Sequence, residues 1–253
     1  MDMNADSTTT PPGPGHGDIP ARPYPLLVQL DGAHCLVVGA GPVAARKASG
    51  LLDAGAEVTL VAPHVGPEVR SLGSSDDPRA GSLTIEQRPY RSPEASTYRL
   101  VISASGDPDV DARVADDALA GGALVNRADT LTAADARAGR AAGNIVLPAV
   151  HRVGPVTLAV STDGSSPALA RWLRDRAAAS LGPDIAVLAE LVDDARRDLL
   201  AAGHTPGSID WADILDKVAP LVAGGSVSEA RVLLAGLTRP DPGATPLSPL
   251  SGK

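Results

Sequence analysis

The stretch Cys35-Leu36-Val37-Val38-Gly39-Ala40-Gly41-Pro42-Val43-Ala44 limits the fold more than any other part of the chain. An apolar run is followed by the spacing G-x-G-x-x-A and then by an Ala/Leu-rich helical pattern through Leu52. Strand, tight turn and helix thus arrive in the order that a dinucleotide-binding βαβ unit requires. Gly39 permits the tight turn. Gly41 has no Cβ, so a pyrophosphate can approach the backbone. Ala44 lets the helix lie close to the sheet. Pro42 suits the first helical turn, where its missing N–H costs nothing. Ala40, Gly41, Pro42 and Val43 therefore present a helix N-terminus whose free N–H groups and positive dipole end suit phosphates. The same residues also describe a strand–helix turn that binds nothing, and the pattern draws its weight from its position in an alternating segment. One expected feature is missing. The second strand ends Leu60-Val61-Ala62-Pro63-His64, without the Asp or Glu that ordinarily takes the ribose hydroxyls. Adenosine recognition is expected from backbone groups or side chains around Pro63 and His64. His64 reads either as a partner for a 2′-phosphate or as an exposed loop histidine.

The alternation continues to about Asn126. Val58–Val61, Leu83–Glu86, Leu100–Ile102 and Leu124–Val125 read as strands, with a helix over Val110–Ala120. Such a series predicts a Rossmann-type α/β fold, a parallel sheet with helices on both faces. The pattern then changes. Ile145–Val150 and Val156–Val160 are apolar runs separated by the turn-like His151–Pro155, and they read as a strand pair outside the parallel sheet. After Pro167 the chain reads as helices over Ala168–Ser180, Ile185–Ala202, Trp211–Leu221 and Val227–Leu237, with Ser208 and Ser226 as caps or cap neighbours. The expected division is a disordered tail over 1–22, a Rossmann domain over 23–143, a small strand-containing dimerisation region over 144–180, a helical domain over 181–240 and a second disordered tail over 241–253. Pro, Gly and polar residues dominate both tails. The two apolar strands after the sheet would bury their faces against a symmetric copy, which predicts a homodimer.

Composition narrows the function. Hydrophobic residues make up 43% of the 253-residue chain, so a core needs neither disulfides nor metals. Aromatic residues are 2% and Phe is absent, which leaves an aliphatic core and no stacking platform for single-stranded nucleic acid. The formal net charge of -8 also disfavours nucleic acid as a partner. Cys35 is the single cysteine, which excludes a disulfide framework and a Cys-rich zinc site; it reads as a small buried hydrophobe. His34, His64, His151 and His204 are scattered without H-x-x-x-H spacing, so no metal site is expected. No run of 18 apolar residues predicts a membrane span. No basic region followed by an apolar stretch opens the chain, and the cytoplasm is the expected location.

Several segments together resemble the siroheme synthase N-terminal-type family, the precorrin-2 dehydrogenase / sirohydrochlorin ferrochelatases. They are Tyr24-Pro-Leu-Leu-Val-Gln-Leu30, the run Gly39–Pro63 with Arg46-Lys47, Leu124-Val-Asn126-Arg-Ala-Asp129, Asn144-Ile-Val-Leu-Pro148, and Val160-Ser161-Thr162-Asp163-Gly164-Ser165-Ser166-Pro167-Ala-Leu-Ala-Arg171. The similarity runs from about residue 24 to about 180. It implies NAD as cofactor and NAD-dependent oxidation of precorrin-2 to sirohydrochlorin, followed in many members by Fe2+ insertion to give siroheme. Some members carry out only the oxidation. Others carry a methyltransferase domain, for which this length leaves no room. The resemblance makes Asp129 the catalytic residue, a general base for both steps. It places Thr162 in the substrate pocket and Ser105 beside the cofactor. The tetrapyrrole is rich in carboxylates, and Arg171 and Arg174, three residues apart on one helical face, are the cations expected to hold it. The chain departs from the family pattern at Asp163-Gly164, where a glycine pair is usual, and at Gly106 and Asp111, where Asp and Asn are expected.

The residues by themselves leave alternatives open. Without the resemblance Asp129 reads first as a helix cap, and Thr162 also reads as a capping hydroxyl, Ser105 as a turn serine and the arginines as a solvated face. A dehydrogenase without chelatase activity, a non-catalytic NAD-binding protein and an ordinary small-substrate oxidoreductase remain rivals. The last is weakened because neither Tyr90 nor Tyr98 is followed by Lys at i+4. The absence of an Arg cluster after Val61 favours NAD over NADP. Iron against cobalt stays open.

Overall fold

A computed structural model describes residues 23–74, 76–128, 143–163 and 166–238. The chain divides into two units, Met1–Val146 and Leu147–Lys253.

The first unit carries five strands: β1 (His34–Val38), β2 (Glu57–Val61), β3 (Leu83–Glu86), β4 (Leu100–Ser103) and β5 (Leu124–Arg127). All pair in parallel in the order β3-β2-β1-β4-β5, the open α/β arrangement expected from the alternation. The central strands are covered on both faces, so they are continuous apolar runs: β1 is buried from Cys35 to Val38 and β4 throughout. Leu36, Val38, Val101 and Val125 form one face of the core with Val114, Ala115 and Ala118 of α3 (Pro108–Ala120). Small alanines on that helix let its backbone approach the sheet. α1 (Pro42–Leu52) packs on β1 and β2 and buries Ala44, Ala45, Ala48, Leu51 and Leu52. A short α2 (Pro67–Leu72) follows β2.

Several boundaries differ from the sequence expectation, three of them for simple reasons. α3 begins at Pro108, before Val110, because the Asp107 carboxylate accepts from the backbone N–H of Asp109 (2.9 Å) and Val110 (3.3 Å) with Pro108 in the first turn. β4 and β5 run on to Ser103 and Arg127 because the backbone ladder, with Ser103 opposite Arg127, continues past the apolar run. Beyond β5 the chain returns along it: Gly143 bridges Asn126, and Ile145 donates to the Val125 carbonyl at 3.2 Å. Ile145 is thus tied to the parallel sheet and does not open the later strand pair.

In the second unit β6 (Ala149–Val153) and β7 (Val156–Val160) form an antiparallel hairpin with Val153 opposite Val156. The turn is Gly154-Pro155 alone, shorter than the expected His151–Pro155, because Gly154 takes a positive φ of 53° and closes a two-residue loop. His151 and Arg152 therefore sit in the strand. Four helices follow: α4 (Pro167–Leu181), α5 (Ile185–Ala201), α6 (Trp211–Ala223) and α7 (Val227–Leu237). α4 packs on the hairpin. Leu191, Ile214, Val218, Val222, Ala230 and Leu234 make the core of the last three. α6 is capped by Asp210, whose side chain accepts from the Asp213 N–H at 3.3 Å. Ser226 stands at the N-terminus of α7 without a side-chain capping bond.

Candidate cofactor site

β1 and β4 are neighbours whose connections lead to opposite sides of the sheet, so their carboxyl ends bound a crevice, the usual ligand position in open α/β folds. Three loops meet there. Gly39 N–H donates to the Val61 carbonyl (2.9 Å), Ala104 N–H to the Val38 carbonyl (2.8 Å) and Gly66 N–H to the Ala40 carbonyl (3.2 Å). Gly39 has φ 115°, and a β-carbon on it would stand 2.1 Å from the Ala104 carbonyl oxygen. No side chain fits that position. Gly41 differs: its φ of -82° and ψ of -177° suit any residue, and a β-carbon there would meet nothing within 4 Å. Its missing side chain leaves open space over the start of α1.

That helix start is prepared for an anion. Gly41 is the N-cap, no side chain caps the helix, and no acidic residue lies in the first turn. The Val43 and Ala44 N–H groups precede the first intrahelical bond, which Ala45 makes to Gly41 (3.0 Å), and so are free for a ligand. Gly41, Pro42 and Val43 are exposed while Ala40 is buried beneath them. Pro63 and His64 are exposed on the loop after β2. The cradle fits a dinucleotide pyrophosphate. On the outer side of α1, Arg46 is exposed, and the half-buried Lys47 amine is held below its ordinary pKa by desolvation and then by Arg46.

The loop after β4 is tied down by one carboxylate. Asp111 is 1% exposed, and its Oδ1 accepts from the Ser103 hydroxyl, the Ser105 hydroxyl (2.8 Å) and the Ser105 N–H (3.1 Å). Its Oδ2 is buried and makes no hydrogen bond. The Ser105 hydroxyl also accepts from the Asp107 N–H at 3.0 Å, so this side chain braces the turn. The unexpected Asp at position 111 is thus an acceptor that organises both serines. Ala128, which donates to the Ser103 carbonyl at 2.8 Å, carries the chain out of β5 beside this loop. Asp129 follows it and lies outside the described residues, as do Gly164 and Ser165.

Thr162 lies in the second unit, after β7. Its hydroxyl donates to the Ser166 carbonyl (3.0 Å) and accepts from the Ser166 N–H (3.2 Å), while Ser166 caps α4 through the Leu169 N–H (3.1 Å). Asp163 takes φ 51°, a conformation that Asp tolerates better than most residues. On α4, Arg171 is exposed, Arg174 is bound by Asp175 at 2.6 Å, and the Arg176 guanidinium lies 5.0 Å from the Trp172 ring centre.

Sequence reasoning located the turn, Pro63, His64 and Ser105 at one sheet edge. It gave no structural role to Gly66, Asp111 or Asn144. Gly66-Pro67 repeats the Gly41-Pro42 pairing of an extended glycine with a proline in the first helical turn, a signal that was readable. The Asn144 carboxamide accepts from the Val125 N–H (2.8 Å) and donates to the Ala123 carbonyl (2.9 Å), which pins the returning segment to β5. Among the described residues no group of three or more His, Cys, Asp or Glu is arranged to hold a metal ion, and no helix is long and apolar enough to cross a membrane.

Comparison with known proteins adds a second line. The family described as putative NAD(P)-binding matches residues 26–140, and the family described as sirohaem biosynthesis protein central matches residues 153–179. A siroheme synthase of Methylococcus capsulatus is 33% identical over 214 residues, 83% of this chain and 42% of that protein. One of Nitrosococcus oceani is 36% identical over 152 residues, 60% of this chain and 30% of that protein. The chain thus spans less than half the length of these curated relatives. Among solved structures, that of SirC, precorrin-2 dehydrogenase, has the same fold, with a TM-score of 0.64 at 24% identity over 85% of this chain and 98% of that one.

Proposed function

The chain belongs to the siroheme synthase N-terminal-type family, and from that premise we propose that it oxidises precorrin-2 to sirohydrochlorin with NAD+. The observation that carries the reading is the open space over Gly41 at the uncapped start of α1, set at the point where the sheet order reverses. Bound there, NAD+ supplies the acceptor for a hydride.

The residues of the chain do the rest. Gly39 and Ala104 hold the floor of the crevice, the Val43 and Ala44 N–H groups take the pyrophosphate, and Pro63 and His64 border the adenosine side. Oxidation removes two electrons and one proton as the hydride that goes to NAD+, and a second proton leaves to a base. Asp129 is that base in this proposal, since in the sequence it comes two residues after β5 ends at Arg127. In the same reading Thr162, Arg171 and Arg174 belong to the substrate side, the two arginines facing substrate carboxylates.

A second step, Fe2+ insertion, extends the proposal. Two pyrrole N–H protons leave as the ion enters, and Asp129 accepts them in turn. Fe2+ is a substrate here and needs no resident metal site. Residues 144–180, with the hairpin and α4, form the dimerisation region, and a cytoplasmic homodimer is the proposed state.

Anaerobic incubation with precorrin-2 and NAD+, followed by Fe2+ or Co2+, tests this. NADH and sirohydrochlorin are expected to appear together, and the metal to shift the absorbance afterwards. Absence of NADH overturns the reading. NADH without metal insertion reduces it to a dehydrogenase alone.

A further inference from the structure

We propose that Glu68 is the residue that reads the adenosine ribose and sets a preference for NAD+ over NADP+. The proposal rests on the cofactor reading above and adds a residue that neither the glycine turn nor the end of β2 identifies.

β2 ends without a carboxylate, since Val61 is followed by Ala62, Pro63 and His64. In dinucleotide sites the acid at that point accepts from the ribose hydroxyls and repels a 2′-phosphate. The structure brings another acid to the glycine turn by a different path. From Pro63 the chain folds back until the Gly66 N–H bonds the carbonyl of Ala40, the residue between the two glycines of the turn. α2 then begins at Pro67, with Glu68 in its first turn. A β-carbon built on Gly66 would touch the Ala40 carbonyl oxygen at 2.6 Å and Glu68 Oε2 at 3.4 Å. The Glu68 carboxylate therefore lies beside the Ala40–Gly66 junction.

Its surroundings leave it available. Glu68 is exposed and makes no hydrogen bond or ion pair among the described residues. Another acid at the sheet edge, Glu86 at the end of β3, is committed: it pairs with Arg88, which also holds Glu94 at 2.6 Å. The cation closest to Glu68 in sequence, Arg70, is two residues on, about 200° around the helix, and so projects from another side of α2. A free carboxylate beside Ala40 accepts from vicinal hydroxyls and places negative charge where a 2′-phosphate would sit. Gly66 is the small residue that lets this happen, because a side chain there would strike the Ala40 carbonyl and crowd the carboxylate.

Calorimetric titration of the wild type, Glu68→Ala and Glu68→Gln with NAD+ and with NADP+ tests the assignment. The wild type is expected to bind NAD+ more tightly than NADP+. Glu68→Ala should lose NAD+ affinity about 10-fold or more, the scale of a charge-assisted hydrogen bond, with NADP+ affinity held or raised. Glu68→Gln keeps an acceptor but not the charge, so its main change should be tighter NADP+ binding. An unchanged NAD+ to NADP+ ratio in both variants overturns the proposal, as does an equal loss for both dinucleotides or a wild-type preference for NADP+. A wild type that binds neither dinucleotide is a different result: it overturns the cofactor reading on which the proposal stands.

Discussion

The carbonyl oxygen of Ala104 occupies the space that a side chain on Gly39 would need, 2.1 Å from the position of its β-carbon. The turn after β1 and the turn after β4 are thereby locked at backbone level. Gly39→Ala combines that clash with a φ of 115°, so it should destabilise the fold by at least about 2 kcal/mol and weaken NAD+ binding by displacing Ala104. A β-carbon at Gly41 meets nothing within 4 Å, so Gly41→Val should keep the melting temperature while abolishing NAD+ binding. Thermal unfolding and calorimetry on the two variants should separate them; a Gly41→Val protein with wild-type affinity would remove the phosphate cradle.

Asp129→Asn keeps the size and hydrogen-bonding shape of the side chain but accepts no proton at neutral pH. NAD+ binding should persist, because the glycine turn is untouched. Precorrin-2 oxidation should fall by at least about 10²-fold, as for loss of a general base, and metal insertion should slow as well. Wild-type turnover with a slightly lower melting temperature would make Asp129 a cap. Lost oxidation with intact insertion would show that the two steps use different groups.

Asn144→Ala leaves the Val125 N–H and the Ala123 carbonyl without the carboxamide that now serves both. Val125 is fully buried, so the expected cost is about 1–3 kcal/mol. Urea unfolding should record it, with faster amide exchange at Val125. Unchanged stability would mean that backbone bonds from Asn144 and Ile145 to the Val125 carbonyl suffice to hold the returning segment.

Cys35 is fully buried in β1, and burial pushes its thiol up to about 11. An unfolded thiol ionises near ~8.5. Its contribution to stability is therefore complete below that pH and is lost as pH rises toward 11, where the unfolded chain alone carries the thiolate. Urea midpoints at pH 7 and pH 10 should fall less in Cys35→Ala than in the wild type. Thiol reagents at pH 8 should label Cys35 only after unfolding.

Leu169, Trp172 and Leu173 are exposed on α4, Trp172 at 54%, within the region proposed to dimerise. Sedimentation at micromolar concentration should give twice the chain mass, and Trp172→Glu should shift the protein toward monomer. A wild-type monomer would contradict the proposed assembly.

Much of this architecture was legible because its signals are local. Alternating buried runs marked all five strands of the sheet, and Leu83–Glu86 has the expected limits. Boundaries moved where a single polar residue decided them. Asp107 drew α3 back to Pro108, and Gly154 shortened the hairpin turn to two residues. At the candidate site the glycine turn was readable for the same reason, since Gly39 and Gly41 act through their own backbone geometry.

The sequence by itself determined which segments are strands and which are helices, the position of the glycine turn between β1 and α1, and the aliphatic, nearly aromatic-free core. Period-two and period-3.6 patterns and glycine placement are properties of a few consecutive residues, so they need no knowledge of the rest of the chain. Only the tertiary structure decided that Ile145 runs along β5, that Asp111 gathers Ser103 and Ser105, and that Glu68 reaches the junction of Ala40 and Gly66. Each of these depends on how loops close between separate strands, and a hydrogen bond such as Gly66 to Ala40 leaves no periodic trace in either segment. The carboxylate missing from the end of β2 was visible as an absence, and its replacement came into view only when the loop after β2 had folded back onto the turn.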